Sequence, residues 1–249
     1  MDFTDRTAVV AGGGSGIGRA TAQLFAERGA QVVVADNNLD GARETVRLVE
    51  ARGGKAIAVE FDITSRADNE RLVAEATAAF GRIHVMTSTV GWSDTTFFVD
   101  EDEEYWDRII RINLTGAIYF SRAALDHMRG NGGGAIVLTS SDAGKVGTMG
   151  ETVYAGAKAG VIGFVKSLAR ETARDKIRVN AISPGPTDTP LLRSQSDQNV
   201  IDKMVRAVPL KRMGTAEEQA GPIVFLASDD AGYITGQTIS VSGGLTMTS

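Results

Sequence analysis

A chain of 249 residues with 43% apolar content can bury one full core, and 26 Lys and Arg against 31 Asp and Glu leave a net charge of -5. No segment gathers the basic residues into a stripe, which argues against nucleic acid as a partner. Cysteine is absent, excluding disulfides and thiolate metal sites, and His84 and His127 lie too far apart in sequence to suggest a metal centre.

The N-terminus carries early acids and only a short apolar run, the pattern of neither a signal peptide nor a membrane span, so a soluble cytoplasmic protein is expected. Residues 7–11 are a valine-bearing apolar run, followed by Gly12, Gly13, Gly14, Gly16 and Gly18 and then a helical pattern through Arg28. This reads as strand, turn, helix. A second strand over 31–35 ends at Asp36, Asn37 and Asn38, and a helix over 39–52 stops at Gly53 and Gly54. Strand 55–60, helix 66–80 and strand 82–87 continue the alternation. Strict alternation with helices of this length predicts parallel strands, buried on both faces and joined by right-handed crossovers. The fold class expected is α/β: a single-domain, Rossmann-type doubly wound parallel sheet of about seven strands with helices on both faces.

The second half keeps the rhythm, with a long helical stretch from 103 to 121 or beyond, a strand over 135–140, a helix over 152–174 and a strand over 177–183. The pattern then breaks. Residues 184–214 carry prolines, polar residues and only one short helical piece near 200–208, which predicts a functional lid over the site. A helix over 215–228 and a strand over 237–241 close the chain, and no linker divides residues 1–249 into separate domains.

The spacing Gly12-x-x-x-Gly16-x-Gly18 follows the first strand and opens the first helix, the setting a phosphate-binding turn requires. Glycine lets the backbone approach a pyrophosphate, and the helix N-terminus offers free N–H groups and partial positive charge. Asp36, at the carboxyl end of the second strand, stands where an acid accepts hydrogen bonds from an adenosine ribose. A 2'-phosphate would meet that carboxylate, and neither Asn37 nor Gly14 supplies a cation, so NAD is expected rather than NADP. Asp62 is placed to reach the adenine amino group, or to form a turn.

Tyr154 and Lys158 are i,i+4 neighbours on the predicted helix over 152–174. An ammonium beside a phenol favours the phenolate and moves its pKa down from about 10, making Tyr154 a usable general acid/base. A serine from a neighbouring strand end would hold the substrate oxygen, which suits alcohol oxidation or carbonyl reduction.

These residues resemble the short-chain dehydrogenase/reductase family over nearly the whole chain. The resemblance rests on Gly12 to Gly18, Asp62, Asn113 in Asn-Leu-Thr-Gly, Ser141, Tyr154-Ala-Gly-Ala-Lys158 and Pro184-Gly185-x-x-x-Thr189. It implies a catalytic tetrad. Tyr154 exchanges the proton, Ser141 bonds the substrate oxygen, Lys158 lowers the tyrosine pKa and binds the nicotinamide ribose, and Asn113 holds a relay water. Ser140 is a rival to Ser141, but the family's spacing to Tyr154 selects Ser141. Thr189, with the backbone after Pro184 and Gly185 including Thr187, would orient the nicotinamide carboxamide. Ser15, Ile17, Ile63 and Gly91 complete the implied cofactor contacts.

Two departures stand out. Ala11 replaces the threonine usual before the first glycine, and the Asn-Asn-Ala-Gly after the fourth strand is here Ser88-Thr89-Val90-Gly91. The missing asparagine amides predict weaker cofactor binding or a shifted sheet edge. Candidates to line the substrate pocket are Trp92, Asp142, Thr148, Met149, Leu191 and Leu192, mixing apolar walls with polar handles. The loop motifs look most like the branch that oxidises 2-hydroxycyclohexanecarboxyl-CoA, so a cyclic or β-hydroxyacyl-CoA alcohol or ketone is the expected substrate. Lys145, Arg193, Lys211 and Arg212 are candidates for CoA phosphates, or solvated surface charges. The alternatives are an enzyme like the 3-oxoacyl-carrier-protein reductases, against which Asp36 argues, and a non-catalytic NAD(H)-binding sensor. The resemblance also implies a homotetramer.

Overall fold

The computed structural model describes residues 1–248. Its seven strands are β1 (Thr7–Ala11), β2 (Gln31–Asp36), β3 (Lys55–Glu60), β4 (Val85–Ser88), β5 (Gly134–Thr139), β6 (Ile177–Pro184) and β7 (Thr238–Val241). The helices are α1 (Gly16–Glu27), α2 (Leu39–Glu50), α3 (Arg66–Phe80), α4 (Glu103–Ile110), α5 (Gly116–Met128), α6 (Ala143–Val146), α7 (Thr152–Thr172), α8 (Pro190–Gln195), α9 (Gln198–Ala207) and α10 (Ala216–Ala227). The strands form one sheet in the order β3-β2-β1-β4-β5-β6-β7, every neighbouring pair parallel. The doubly wound sheet expected from the alternation is therefore observed.

All five residues of β1 are buried, because helices cover both faces of the sheet. Successive side chains point to opposite sides, so one strand feeds two cores. Val9 and Ala11 pack with Val33, Met86, Ile136 and Leu138 beneath α5 and α7. Ala8 and Val10 pack with Val32, Val34, Phe25 and Val224 beneath α1 and α10. Full burial of one such valine contributes roughly 1.5–3 kcal/mol over leaving it exposed, which is why the strands read as continuous apolar runs.

Strand order reverses between β1 and β4, and a crevice opens at the carboxyl ends of these two strands. Helix starts are set by local chemistry. Ser65 accepts a hydrogen bond from Asp68 N at 3.2 Å, and Thr215 with Glu218 forms a reciprocal capping box on α10.

Three local features depart from the sequence reading. The single helix expected from 103 is two helices joined by a π turn over Arg111–Thr115. The break at 184–214 holds α8 and α9, not one short helical piece. The altered stretch after β4 leaves the sheet in register: β4 pairs with β1 and β5, and the Thr89 hydroxyl, where the family has an amide, bonds back to the turn after β1. Thr87 Oγ1 donates to Val137 O at 2.8 Å, and Thr89 Oγ1 lies 3.1 Å from Ala11 O and 3.3 Å from Gly12 O. Among the described residues no helix is long and apolar enough to cross a membrane.

Candidate active site

The turn after β1 is shaped by two glycines in the left-handed region, Gly12 at φ 77° and Gly16 at φ 47°. Close approach decides Gly12 and Gly18 as well. A Cβ on Gly12 would lie 2.8 Å from Thr89 Oγ1, and one on Gly18 only 1.9 Å from Gly12 O. Ser15 takes the N-cap position of α1 in extended conformation, its side chain caps nothing, and the first turn has no acid. The first N–H groups of α1 are thus left to face the crevice, as an anion-binding terminus requires.

The crevice is a cleft of about 580 Å³. Gly12, Ser15, Gly16, Ile17 and Gly18 form one wall, Asp36, Asp62 and Ile63 the next, and Gly91 and Thr189 the side towards α8. Asp36 is held in place by two backbone donors, Gly14 N to Oδ2 at 2.8 Å and Asn38 N to Oδ1 at 2.9 Å. Arg19, the nearest cation to the glycine turn in sequence, is committed: Nε donates to Thr45 Oγ1 at 3.0 Å and Nη2 to Gly14 O. Asp62 forms the expected turn, since Oδ1 accepts from Thr64 N and Oγ1, each at 2.8 Å, and the residue also lines the cleft.

Not every predicted cofactor residue reaches the cleft with a free side chain. Thr187 Oγ1 donates to Gly185 O at 2.9 Å and accepts from Gln219 Nε2 at 3.0 Å, which leaves its backbone as the part able to meet a ligand. Gly185 N donates to Val241 O, tying the Pro184-Gly185 turn to β7. Thr189 caps α8 by accepting from Leu192 N at 3.3 Å, and a Cβ on Gly16 would touch its side chain at 3.4 Å. That contact brings the segment after β6 against the glycine turn.

Ser141, Tyr154, Lys158 and Asn113 come together at the inner end of the cleft, beyond its lining. Ser141 follows β5, lies near enough to the Tyr154 hydroxyl to favour its ionised form, and accepts from Ala143 N at 3.2 Å. Ser140 points the other way: buried, its Oγ donates to Lys158 O at 2.9 Å, which makes it a brace for α7. Lys158 is 2% exposed; Nζ donates to Thr139 O at 2.9 Å and stands 5.7 Å from the Tyr154 ring centroid.

The π turn gives Asn113 its place. It adds a residue to the helical turn there, a distortion often found at functional positions. Both Nδ2 hydrogens are used, on Trp92 O at 2.7 Å and Ile109 O at 3.0 Å, while Oδ1 accepts from Trp92 N at 3.2 Å and keeps one lone pair. A Cβ on Gly91 would sit 3.1 Å from Lys158 Nζ and 3.2 Å from Asn113 Oδ1, so both groups converge on the Gly91 backbone.

The electrostatics correct one expectation. Burial, and then the charge of Glu151, push the Tyr154 phenol above its ordinary value, and the nearby Ser141 only partly opposes them. The lowering expected from Lys158 is not expressed here, because desolvation penalises charge on both members of the pair. Lys158 itself gives way, pulled down by burial to about 8.

Of the candidate substrate contacts, Trp92 and Leu191 line the cleft. Met149 is 83% exposed and Asp142 is buried with neither carboxylate oxygen hydrogen-bonded, so neither forms a cleft wall. The four cations suggested for CoA phosphates are engaged locally. Lys145 Nζ donates to Thr238 O and Ser240 Oγ, Lys211 Nζ to Arg206 O, Arg193 pairs with Asp188 and Arg212 with Glu218. The histidines accept backbone N–H groups, His84 Nδ1 from Thr7 and His127 Nε2 from Ile83, and burial lowers the pKa of each. Residues not singled out from sequence are Ser93, Glu151 and Gln195. Only Glu151 carried a signal, a carboxylate three positions before Tyr154.

An open helix N-terminus facing a cleft, with a phenol and an ammonium at its inner end, suits a dinucleotide cofactor and proton transfer to an oxygen. That is the chemistry of an oxidoreductase. Residues 11–246 match the family model described as enoyl-(acyl carrier protein) reductase, and the chain belongs to the short-chain dehydrogenase/reductase family. It is 41% identical over 249 residues to the (3R)-3-hydroxyacyl-CoA dehydrogenase of Mus musculus, covering 96% of each chain. It is 40% identical to the cis-4-hydroxycyclohexanecarboxylate dehydrogenase of Sinomonas cyclohexanicum, covering 98% of each. A solved structure of 7α-hydroxysteroid dehydrogenase complexed with NADH and 7-oxo glycochenodeoxycholic acid superposes with a TM-score of 0.94 at 32% identity, over 98% of this chain and 95% of that one.

Proposed function

We propose that this oxidoreductase moves a hydride between NAD(H) and a secondary alcohol or ketone, the substrate being a cyclic or β-hydroxyacyl-CoA compound. The observation that carries the reading is the convergence of Ser141, Tyr154, Lys158 and Asn113 beside Gly91, at the inner end of a cleft whose outer wall is an uncapped helix start. Bound NAD would accept or give the hydride. Tyr154 takes the proton from the alcohol oxygen, Ser141 holds that oxygen, and the remaining lone pair of Asn113 Oδ1 faces Lys158 across Gly91 for proton exchange with solvent. Residues 184–214 act as the lid, with Gln195 Nε2 donating to Ser93 O and so strapping α8 to the loop after β4.

Asp36 supports NAD over NADP, because the carboxylate is fixed at the cleft by Gly14 and Asn38 while the nearby Arg19 is committed to Thr45 Oγ1 and Gly14 O. Asp36→Ala is expected to raise KM for NAD by about tenfold or more, since bonds to a charged acceptor contribute roughly 1.5–3 kcal/mol. KM for NADP should fall in the same variant, and initial rates with each cofactor check both. The names of the hydroxyacyl-CoA and hydroxycyclohexanecarboxylate relatives support the substrate class.

The test of the function is NADH formation across a panel of cyclic alcohols, β-hydroxyacyl-CoA thioesters and simple secondary alcohols. Turnover of thioesters with NAD supports the full reading. Turnover of free alcohols alone removes CoA, and NAD binding without turnover anywhere points to a sensor. The proposed assembly is a homotetramer pairing α5 and α7 between subunits. Exposed Ile118 on α5 and the open surface at Gly156 and Gly163 on α7 support it. A monomer in light scattering would refute it.

A further inference from the structure

Two cations of the cleft take no part in the proton transfer. Arg108 on α4 and Arg111 at the start of the π turn line it, and among the described residues no other lysine or arginine does. With Ile112, which also lines the cleft, they stand at i, i+3 and i+4 and share one helical face. Each has an acid four residues before it, Glu104 before Arg108 and Asp107 before Arg111, in the order that best supports a helical ion pair. Elsewhere the chain uses such spacing: Arg66 pairs with Glu70, Arg71 with Glu75 and Arg122 with Asp126. Among the described residues neither Arg108 nor Arg111 forms an ion pair. Arg108 lies instead over the Trp92 ring, 3.8 Å from its centroid. A planar guanidinium stacked in this way keeps the N–H groups at its edge free to donate. The other charged residues of the lining are Asp36 and Asp62, and both are engaged, Asp36 with Gly14 N and Asn38 N and Asp62 with Thr64. The acids of the cleft are thus held locally while its cations are left unpaired.

We propose that Arg108 and Arg111 form a phosphate-binding pair on the α4 wall of the cleft, which rests on the reading of the cleft as a dinucleotide site. The uncapped start of α1 carries only partial positive charge, and Arg19, the cation nearest the glycine turn in sequence, is committed to Thr45 Oγ1 and Gly14 O. A pyrophosphate brings further negative charge into a lining that already holds Asp36 and Asp62. Arg108 and Arg111 are the cations there that offset it. Arginine suits the task, because its fork meets two phosphate oxygens at once, and a pair formed inside a cleft is screened less by salt than one on an open surface. The phosphate has two possible sources. One is the pyrophosphate of the dinucleotide; the other is a CoA substrate, since Trp92 follows directly on Gly91, where Lys158 and Asn113 converge.

The experiment measures Kd for NADH by fluorescence titration in the wild type, Arg108→Met, Arg111→Met and the double variant, with ADP and adenosine as competitors. It then measures Kd for CoA and for pantetheine on each enzyme–NADH complex. Both arginines are exposed, so the substitutions leave the core intact and Tm should not move. If the pyrophosphate is the ligand, NADH should weaken by about threefold or more in each single variant and by about tenfold or more in the double one. ADP should follow NADH, adenosine should not change, and added salt should weaken NADH more in the wild type than in the double variant. If the phosphates of CoA are the ligand, NADH affinity stays and CoA weakens by about tenfold in the double variant, with pantetheine unchanged. Either pattern supports the pair. Equal weakening of ADP and adenosine, wild-type affinity for both NADH and CoA in the double variant, or no binding of NADH, ADP or CoA to the wild type overturns it. Because the readout is binding, it separates from the proposed function: phosphate binding that depends on the arginines, without turnover of any alcohol, sinks the dehydrogenase reading alone. NAD-linked turnover with variants that bind every ligand as the wild type does sinks the arginine pair alone.

Discussion

Tyr154→Phe is expected to lower kcat/KM for NAD-linked alcohol oxidation by about 10²–10⁴-fold, the range that positioned general acid–base groups supply. The substitution removes one oxygen and leaves the ring in the packing that sets it 5.7 Å from Lys158 Nζ. NADH affinity, read by fluorescence titration, should therefore stay within about twofold while turnover collapses. Unchanged turnover would refute the assignment. The pH dependence follows from the same environment. Burial and Glu151 raise the phenol's pKa, so for alcohol oxidation the reactive phenolate is scarce at neutral pH and the rate should climb as pH rises. Glu151→Gln removes one of the raising influences, and the acidic limb of its kcat/KM profile should move to lower pH. Methyl acetoacetate reduction needs the protonated phenol and should show the opposite trend.

The sheet was legible because its strands are buried on both faces. Val9, Val10, Val32, Val33 and Val34 cannot alternate with polar residues when helices cover each side, so the strands stand out as apolar runs between turns. The cofactor turn was legible for a related reason. Gly12 and Gly18 are fixed by backbone approach, which no other residue type permits, and that demand leaves a spacing in the sequence. The π turn at Arg111–Thr115 left no such mark, since its residues are ordinary helix formers and the extra residue is set by packing. Nor did the sequence show that the hydroxyls of Thr87 and Thr89 would bond to Val137 O and Ala11 O and so tie neighbouring strands. Nor did Ser93 and Gln195 announce themselves. They are 102 positions apart and meet only because the lid folds back onto the loop after β4. The upward push on the Tyr154 pKa is hidden in the sequence, because an i,i+4 ammonium is visible there while the burial that raises the pKa is not.

Gly18→Ala is expected to disable the cofactor site and to destabilise the fold together. A Cβ at this position would lie 1.9 Å from Gly12 O, 2.6 Å from Gly12 C and 2.6 Å from Thr89 Oγ1. Two of these are backbone atoms of the turn itself, so no side chain can swing away to relieve the clash. Either α1 lifts from β1, or the Gly12 peptide rotates and carries the turn out of shape. Both movements displace the uncapped N–H groups of α1 from the cleft, and the Kd for NADH should rise by tenfold or more, on the order of the 1–3 kcal/mol that overpacking costs. The same strain acts on the empty protein. A chain of this size loses about 2–4 °C of Tm per kcal/mol, so thermal unfolding should report a fall of several degrees. Gly221→Ala in α10 is the matched control, because a Cβ there meets nothing within 4 Å. Alanine in a helix interior is favoured over glycine by about 1 kcal/mol, so this variant should unfold no lower than the wild type and bind NADH normally. Wild-type NADH affinity in Gly18→Ala would show that the turn tolerates a side chain at its closest approach, and the anion-binding role of the α1 terminus would fall with it.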